Sequence, residues 1–225
     1  MALSELAKKV RQGRLTYLSE QKFARLEATL RAVIAARTEG AIAEFGVALG
    51  GSAIVLASQA LAAGRSFHGF DVFGMIPPPA SEKDSPKSKE RFEIIQSGKS
   101  SGIGPDKYYG YIENLYDRVC QSFSEFGIEV GQKGIHLHKG LFQDVVPDVD
   151  MKSLCFVHID CDFYDAVKYA LSSSWPLLSV GGCVMFDDYH THGGCKAAVD
   201  EYFVGRDDYV FGDGANFKVM KRQPA

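Results

Sequence analysis

Short apolar runs alternate with segments of helical periodicity along most of the chain. Apolar side chains at Phe23, Leu26 and Leu30 recur at helical spacing and predict a helix over residues 19–38. Seven further runs predict strands, at residues 41–46, 66–71, 135–140, 153–160, 181–188, 208–212 and 216–221, with helices at 50–64, 163–178 and 193–204. This alternation is typical of a largely parallel sheet covered by helices on both faces.

One segment, residues 74–106, interrupts the alternation and is rich in Pro, Ser, Gly and Lys. A connection of this length is usually functional or disordered, and it directly follows a strand end, where ligands bind in such sheets. We expect a mobile lid or substrate loop here, with a disordered excursion as the alternative. Residues 107–127 follow it and predict an amphipathic helix with many aromatic side chains.

The chain has 225 residues, 46% hydrophobic and 24% charged, which predicts one globular domain over residues 1–225. Residues 1–39 would form an N-terminal helical extension, which could serve as the interface of a homo-oligomer. The net charge of -3 gives no reason to expect nucleic acid or an anionic membrane as a partner. No run has membrane-spanning length, and no secretory signal is recognised.

Cysteine usage bears on the cellular compartment. The number of cysteines is five, which is odd, and no CxxC pair occurs among them. This pattern favours reduced thiols over a disulfide framework or a zinc site, and therefore a cytoplasmic location.

A glycine-rich turn, EFGVALGGS at residues 44–52, joins the first predicted sheet strand to the following helix. Its glycines permit a tight turn, and the helix N-terminus offers free amides. Ala48 breaks the GxGxxG fingerprint, and no P-loop lysine is present. Glu44 suits a cationic group, and Asp71, which ends the next strand, can accept hydrogen bonds from ribose hydroxyls. These features favour S-adenosylmethionine, the alternative being a turn that serves only packing.

Acidic residues end two predicted strands. Asp160 ends one of them, and Asp187 and Asp188 end the next. Tips of neighbouring strands lie about 5 Å apart, so three carboxylates there need neutralisation by protons or by a cation. Oxygen ligands favour a hard divalent cation, with Mg²⁺ as the leading choice. The alternative is an ordinary capped junction between strand and loop.

A cation at this edge could bind substrate hydroxyls and lower the pKa of one of them. Asp162, His190 or His192 could then accept the proton. The histidines within predicted strands, at positions 68, 136, 138 and 158, are expected to be core or sheet-surface residues.

A second pattern points to a different enzyme class. Tyr164 and Lys168 match the YxxxK pair of short-chain dehydrogenases, and Rossmann-like alternation also suits a nicotinamide-dependent oxidoreductase. The missing diphosphate turn argues against that reading, so we interpret the match as coincidence. A non-catalytic protein that retains the cofactor pocket is a further alternative.

Several segments together resemble the macrocin O-methyltransferase (TylF-like) family. They include AEFGVALGGSAIVLA, GFDVFGMIPPP, KGLFQDVVP, VHIDCDFYDAVKYAL and GGCVMFDDYHTHGGCKAAVDEYF, in the family's order, and cover the chain from about residue 18 onward. The resemblance implies a Rossmann-like class I methyltransferase fold, with a mostly parallel seven-stranded sheet whose last strand is antiparallel. It also implies S-adenosylmethionine and Mg²⁺ as cofactors for methylating hydroxyls, typically on sugars of secondary metabolites.

The resemblance also assigns roles by position. Asp160, Asp187 and Asp188 would be the metal ligands, and Asp162 the general base with His190 as a second candidate. The implied cofactor contacts are Glu44, Gly46, Val47, Gly50, Gly51, Ser52, Asp71, Val72, Gly140, Phe142 and Asp160. The wording DVFGMIPPP and the histidines of DDYHTHGG depart from the family pattern, so the acceptor is not predicted beyond a small-molecule hydroxyl.

Overall fold

Seven strands form one mixed sheet in a computed structural model of the chain, which describes residues 2–224. The strands are β1 (Ala41–Phe45), β2 (Phe67–Asp71), β3 (Ile135–Lys139), β4 (Leu154–Ile159), β5 (Leu178–Phe186), β6 (Tyr209–Gly212) and β7 (Phe217–Lys221). Their spatial order is β3-β2-β1-β4-β5-β7-β6. Strands β1 to β5 pair in parallel, and β7 runs antiparallel to both of its neighbours. The predicted mostly parallel sheet with an antiparallel last strand is confirmed.

Eight α-helices accompany the sheet within the described residues. They are α1 (Glu5–Gln12), α2 (Glu20–Ala35), α3 (Gly51–Ala62), α4 (Pro86–Gln96), α5 (Leu115–Glu125), α6 (Phe142–Val145), α7 (Tyr164–Ser174) and α8 (Gly193–Phe203). Local sequence explains several helix starts, because Ser4, Ser19 and Ser85 each accept a backbone N–H in the first turn of α1, α2 and α4. Between residues 2 and 224 no helix is long and apolar enough to cross a bilayer.

The helices cover both faces of the sheet, as predicted. Alternate strand residues point to opposite faces, so Ile42 and Phe156 belong to one buried cluster, with α1, α2, α3 and α5. Ala43 and Val157 belong to the other, with α7 and α8. Strands buried on both faces account for the continuous apolar runs in the sequence.

The structure differs from the sequence-based prediction in three places. Residues 74–106 contain α4, whose Phe92 and Ile95 are buried, so this segment is not a structureless excursion. The helix predicted over 107–127 begins only at Leu115, because Asn114 adopts a left-handed conformation with φ of 56°. Helix α1 lies within the helical extension predicted over residues 1–39, but the only helix located there from sequence was the one over residues 19–38.

The carboxyl ends of the parallel strands meet at one edge of the sheet. Connections from β1 lead away in one direction and those from β4 in the other, which creates a crevice between them. Gly46 follows β1 with φ of 95°, and a Cβ built on it would lie 2.0 Å from the Asp160 carbonyl oxygen. Only glycine therefore allows the two strand ends to approach so closely.

Candidate active site

A cavity of about 450 Å³ opens at this crevice. Its lining includes six of the predicted site residues, namely Gly46, Asp71, Val72, Phe142, Asp160 and Asp162. The segment 74–106 covers part of it through Ile76, Pro77 and Pro78, and Tyr109 closes another side. The cavity therefore runs from the end of β2 to the acidic residues after β4.

Asp71 braces the glycine turn. Its Oδ2 accepts the backbone N–H groups of Val47 and Ala48 at 2.8 and 2.9 Å, and its Oδ1 accepts that of Phe73 at 2.6 Å. Burial raises the pKa of Asp71, and these three hydrogen bonds act to lower it. Ala48 and Phe73 both have positive φ, so this carboxylate stabilises two strained turns at the cavity wall.

The second half of the turn meets the N-terminal segment. The Gly51 N–H donates to the Leu15 carbonyl at 2.9 Å, and a Cβ on Gly51 would lie 2.4 Å from that oxygen. Gly50 sits against Val119, which a Cβ would approach to 2.9 Å. Both glycines thus have packing reasons to be glycine, and their predicted contacts with a cofactor stay predictions.

Glu44 forms a fully buried pair with His158. Its Oε1 lies 2.7 Å from His158 Nδ1, and both side chains have zero exposure. Within residues 2–224, Glu44 Oε2 and His158 Nε2 have no hydrogen-bond partner. Ser52 is buried in the first turn of α3, and Gly140 donates its N–H to the Asp71 carbonyl. For these residues too, direct cofactor contact stays a prediction.

The three acids after β4 and β5 do come together. These strands are parallel neighbours, and each of Asp160, Asp187 and Asp188 offers an oxygen within 4.8 Å of the others. Burial, and after it the charge of Asp187, raises the pKa of Asp160 well above its usual value. Burial and the charge of Asp188 likewise raise the pKa of Asp187. The arrangement concentrates negative charge at one buried point.

This cluster has the donor chemistry that a hard divalent cation requires. All its ligand atoms are carboxylate oxygens. Asp188 Oδ2 is buried and, among residues 2–224, lacks a hydrogen-bond partner. An unpartnered buried carboxylate oxygen beside two further acids fits a cation such as Mg²⁺.

One basic and one amide side chain also contact the cluster. Lys22, on α2, places Nζ 2.7 Å from Asp187 Oδ2 and 2.9 Å from the Asp187 carbonyl oxygen. Asn216 donates Nδ2–H to Asp187 Oδ1 at 3.3 Å. Sequence reasoning missed Lys22, which is separated from Asp187 by 165 residues. The only sequence feature that could have pointed to Lys22 was its place in the helix predicted over residues 19–38.

His192 is the histidine that reaches the acids. Its Nδ1 lies 3.1 Å from Asp188 Oδ1 and 3.7 Å from Asp162 Oδ1. Burial acts to raise the pKa of Asp188, but the hydrogen bond and charge of His192 outweigh it and lower that pKa. The same bond raises the pKa of His192. Burial and the charge of Asp188 raise the pKa of Asp162 to about 7.

His190 lies elsewhere. Its Nε2 is 2.9 Å from Asp213 Oδ1, and its side chain is 40% exposed. The turn after β5, in which the N–H groups of Thr191 and His192 donate to the Asp188 carbonyl, directs His192 toward the acids instead. The structure therefore gives the predicted catalytic role of His190 no supporting contact.

The Tyr164 and Lys168 pair does not form a dehydrogenase site. The Tyr164 hydroxyl donates to Glu201 Oε2 at 2.7 Å and accepts from Lys83 Nζ at 3.0 Å. Lys168 Nζ lies 5.3 Å from the centre of the tyrosine ring. The hydroxyl is thus engaged by α8 and the covering segment. The interpretation of the motif as coincidence agrees with this geometry.

A model of the family described as macrocin O-methyltransferase (TylF) matches residues 8–207. The chain belongs to the macrocin O-methyltransferase (TylF) family. It is similar to the demethyldecarbamoylnovobiocin O-methyltransferase of Streptomyces niveus, with 40% identity over 63 residues, 28% of this chain and 24% of that protein.

A second relative aligns with more of the chain. The chain is similar to the 8-demethyl-8-(2,3-dimethoxy-alpha-L-rhamnosyl)-tetracenomycin-C 4'-O-methyltransferase of Streptomyces olivaceus, with 25% identity over 190 residues. This alignment covers 83% of this chain and 67% of the relative. The chain thus aligns with about a quarter of the length of one curated relative and about two thirds of the other.

Solved structures share the fold of this TylF-family member. The O-methyltransferase NovP superposes with a TM-score of 0.75 at 21% identity, covering 93% of this chain and 83% of NovP. The calicheamicin methyltransferase CalS11 gives a TM-score of 0.62 at 17% identity, covering 96% and 91%. The fold is therefore that of a Rossmann-like methyltransferase, as predicted.

Proposed function

We propose that the chain transfers a methyl group from S-adenosylmethionine to a hydroxyl of a sugar or another secondary metabolite, with Mg²⁺ bound by Asp160, Asp187 and Asp188. The observation that carries the proposal is that Asp71 and Asp160 line the same cavity, the one described above. One end offers a carboxylate and aromatic walls for a nucleoside. The other end presents the acids that would serve the acceptor.

The nucleoside end has the features that S-adenosylmethionine requires. Asp71 is 7% exposed and can accept ribose hydroxyls at the cavity wall, although three backbone N–H groups already bond to it. Leu141 and Phe142 supply an apolar surface for the adenine. Neither this end nor the turn after β1 provides the glycine pattern for a diphosphate, which argues against a nicotinamide cofactor.

Methyl transfer places modest demands on the protein. The acceptor oxygen must face the sulfonium methyl in line, and it must lose its proton. A bound Mg²⁺ would lower the pKa of the acceptor hydroxyl and favour acceptors with neighbouring oxygens. Asp162 lines the cavity, and His192 lies 3.7 Å from it, so this pair can take up the acceptor's proton and share its charge.

The acceptor class is inferred from the relatives. Their names describe O-methyltransferases of demethyldecarbamoylnovobiocin and of a rhamnosyl-tetracenomycin, both of them elaborate small molecules. We extend this class to the present chain because the apolar cover from Ile76 to Pro78 can pack against a flat or glycosylated ligand. Part of the proposal is a cytoplasmic location, supported by five cysteines that form no disulfide within residues 2–224. A homo-oligomer stays a prediction.

A calorimetric titration tests the cofactor assignment. EDTA-treated protein is titrated with S-adenosylhomocysteine and then with NADPH, each with and without Mg²⁺. Binding of S-adenosylhomocysteine alone supports the proposal, whereas binding of NADPH alone contradicts it and favours the oxidoreductase reading.

Asp188→Asn then separates an enzyme from a binding protein. This change should leave S-adenosylhomocysteine binding intact while Mg²⁺-dependent turnover of a hydroxyl acceptor falls by about 100-fold or more. Unchanged turnover would exclude the metal role of Asp188. If the wild type binds S-adenosylhomocysteine but methylates no hydroxyl acceptor with Mg²⁺ present, a non-catalytic role is favoured.

A further inference from the structure

Asp84 is a buried carboxylate within the segment that covers the cavity. It is 2% exposed, although its neighbours Glu82 and Lys83 are exposed. Its Oδ1 accepts the backbone N–H of Tyr164 at 2.9 Å. Its Oδ2 is buried and has no hydrogen-bond partner within residues 2–224, and the residue lines the cavity.

The Asp84 carboxylate lies at the N-terminus of α7. The local N-cap residue is Phe163, whose side chain cannot accept a hydrogen bond, so the first amide of the helix depends on a distant acceptor. Asp84 supplies it from 80 residues away in the sequence. A carboxylate at a helix N-terminus is also favoured by the helix dipole.

Helix α8 has a glycine, Gly194, at the point where it meets the Asp84 side chain. A Cβ on Gly194 would lie 2.1 Å from Asp84 Oδ1 and 2.9 Å from the Tyr164 nitrogen. Any larger residue at position 194 would therefore displace the carboxylate. The neighbouring residue Lys83 makes a second contact with α8, because its Nζ donates a hydrogen bond to Glu201 Oε2 at 2.7 Å.

We propose that Asp84 is a positioning residue that latches the segment 74–106 onto the start of α7. The loop that leads into α7 contains Asp160 and Asp162, so Asp84 also holds this loop. In addition, Phe163 of the loop packs edge-on against Phe92 of α4, with 6.3 Å between the ring centres. Release of the latch would uncover the cavity and free the loop together. The unpartnered Oδ2 is free to accept a hydrogen bond from a hydroxyl or ammonium group of the ligand in the cavity. This inference adds a positioning residue to the proposed function. It rests on the proposed function only for the identity of the ligand in the cavity.

Hydrogen exchange on the ligand-free protein tests the latch. Asp84→Ala should speed exchange of the Tyr164 amide and of the segment 74–96 by about tenfold or more, because a buried hydrogen bond to a charge is lost. Asp84→Asn keeps an oxygen that can accept the Tyr164 N–H and should retain most of the protection. Glu82→Ala removes an adjacent exposed acid and serves as the matched control.

Gly194→Ala provides an independent variant on another element. Alanine favours helix, yet here its Cβ would occupy the space of Asp84 Oδ1, so it should also speed Tyr164 exchange about tenfold. This variant keeps the test decisive if Asp84→Ala does not fold. Wild-type exchange in both variants, or an equal rise in Glu82→Ala, would overturn the latch.

Ligand binding separates this inference from the proposed function. If the latch retains the ligand, Asp84→Ala should raise the Kd for S-adenosylhomocysteine about tenfold, with the KM for S-adenosylmethionine rising alongside a fall in kcat. A wild type that binds no S-adenosylhomocysteine would count against the proposed function, while the exchange result would still decide the latch. A Kd unchanged in Asp84→Ala would overturn the ligand-retaining role.

Discussion

Lys22 Nζ lies 2.7 Å from Oδ2 of Asp187, so a lysine of α2 contacts the acid cluster that follows β4 and β5. The lysine side chain is 19% exposed and that of Asp187 is 8% exposed. This ammonium partly neutralises the three carboxylates when no metal is bound. It also occupies one oxygen that could otherwise bind a cation.

We therefore expect Lys22→Met to destabilise the metal-free protein by about 2 kcal/mol, since a largely buried charge loses its partner. For a chain of this size, the melting temperature should fall by about 5 °C. Mg²⁺ should raise the melting temperature of the variant more than that of the wild type. Lys196→Met, which removes a surface lysine paired with Asp200, is the matched control. A variant that melts like the wild type and ignores Mg²⁺ would contradict this role of Lys22.

The two histidines after β5 should differ in their contribution to turnover. His192→Ala should lower kcat by about tenfold or more, because His192 contacts both Asp188 and Asp162. His190→Ala should stay within about twofold of the wild type, since that side chain pairs with Asp213. The measurement is S-adenosylhomocysteine formation with a hydroxyl acceptor and Mg²⁺. The reverse ranking would favour His190 over His192 as the histidine that contributes to proton transfer.

Gly46 should tolerate no side chain. Gly46→Ala would place a Cβ 2.0 Å from the Asp160 carbonyl oxygen at a φ of 95°, and we expect a loss of about 3 kcal/mol or more in the free energy of unfolding. Gly64→Ala is the control, because Gly64 has φ of 66° but no atom within 4 Å of its Cβ position. For Gly64→Ala we expect a loss of only about 1 kcal/mol in the free energy of unfolding, from backbone strain alone. Urea denaturation compares the two variants, and equal losses would show that the close approach is unimportant.

His68 makes the protein sensitive to mild acid. Burial, with the neighbouring His138 and His136, lowers the pKa of His68 to about 4. The unfolded chain, in which a histidine titrates near 6.5, then binds more protons between these values, so stability falls as the pH drops from about 6.5 to about 4. At pH 5 this group alone accounts for about 2 kcal/mol.

We expect His68→Phe to remove this component. The difference in unfolding free energy between pH 7 and pH 5 should be about 2 kcal/mol smaller in the variant than in the wild type. Parallel denaturant titrations at the two pH values measure it. An identical pH dependence in both proteins would show that His68 takes up protons equally in the folded and unfolded states.

The sheet could be predicted from sequence because its strands are buried on both faces and leave continuous apolar runs between helices. The meeting of Asp160 with Asp187 and Asp188 followed from the same reasoning, since acids at the ends of parallel neighbours share an edge. Both inferences depend on local patterns and one rule of topology.

Other features depend on long-range packing that no local pattern encodes. Lys22 and Asp84 reach the site from 165 and 80 residues away, and neither belongs to a recognised motif. Gly51 is a predicted cofactor contact, and its N–H is bonded to the Leu15 carbonyl of the N-terminal extension, a contact that no local pattern indicates. The predicted contact of Glu44 with a cationic ligand group stays a prediction, and its buried contact with His158 on the adjacent strand is likewise one that the sequence did not indicate.

Electron–nuclear double resonance on protein loaded with Mn²⁺ and S-adenosylmethionine labelled with ¹³C at the methyl group is the most direct test of a cation and a methyl donor in one site. Mn²⁺ replaces Mg²⁺ at oxygen ligands and provides the signal. We predict a ¹³C coupling in the wild type that disappears in Asp188→Asn. Bound Mn²⁺ with no ¹³C coupling in the wild type, or a coupling that survives in Asp188→Asn, would contradict a metal-assisted methyl transfer at Asp160, Asp187 and Asp188.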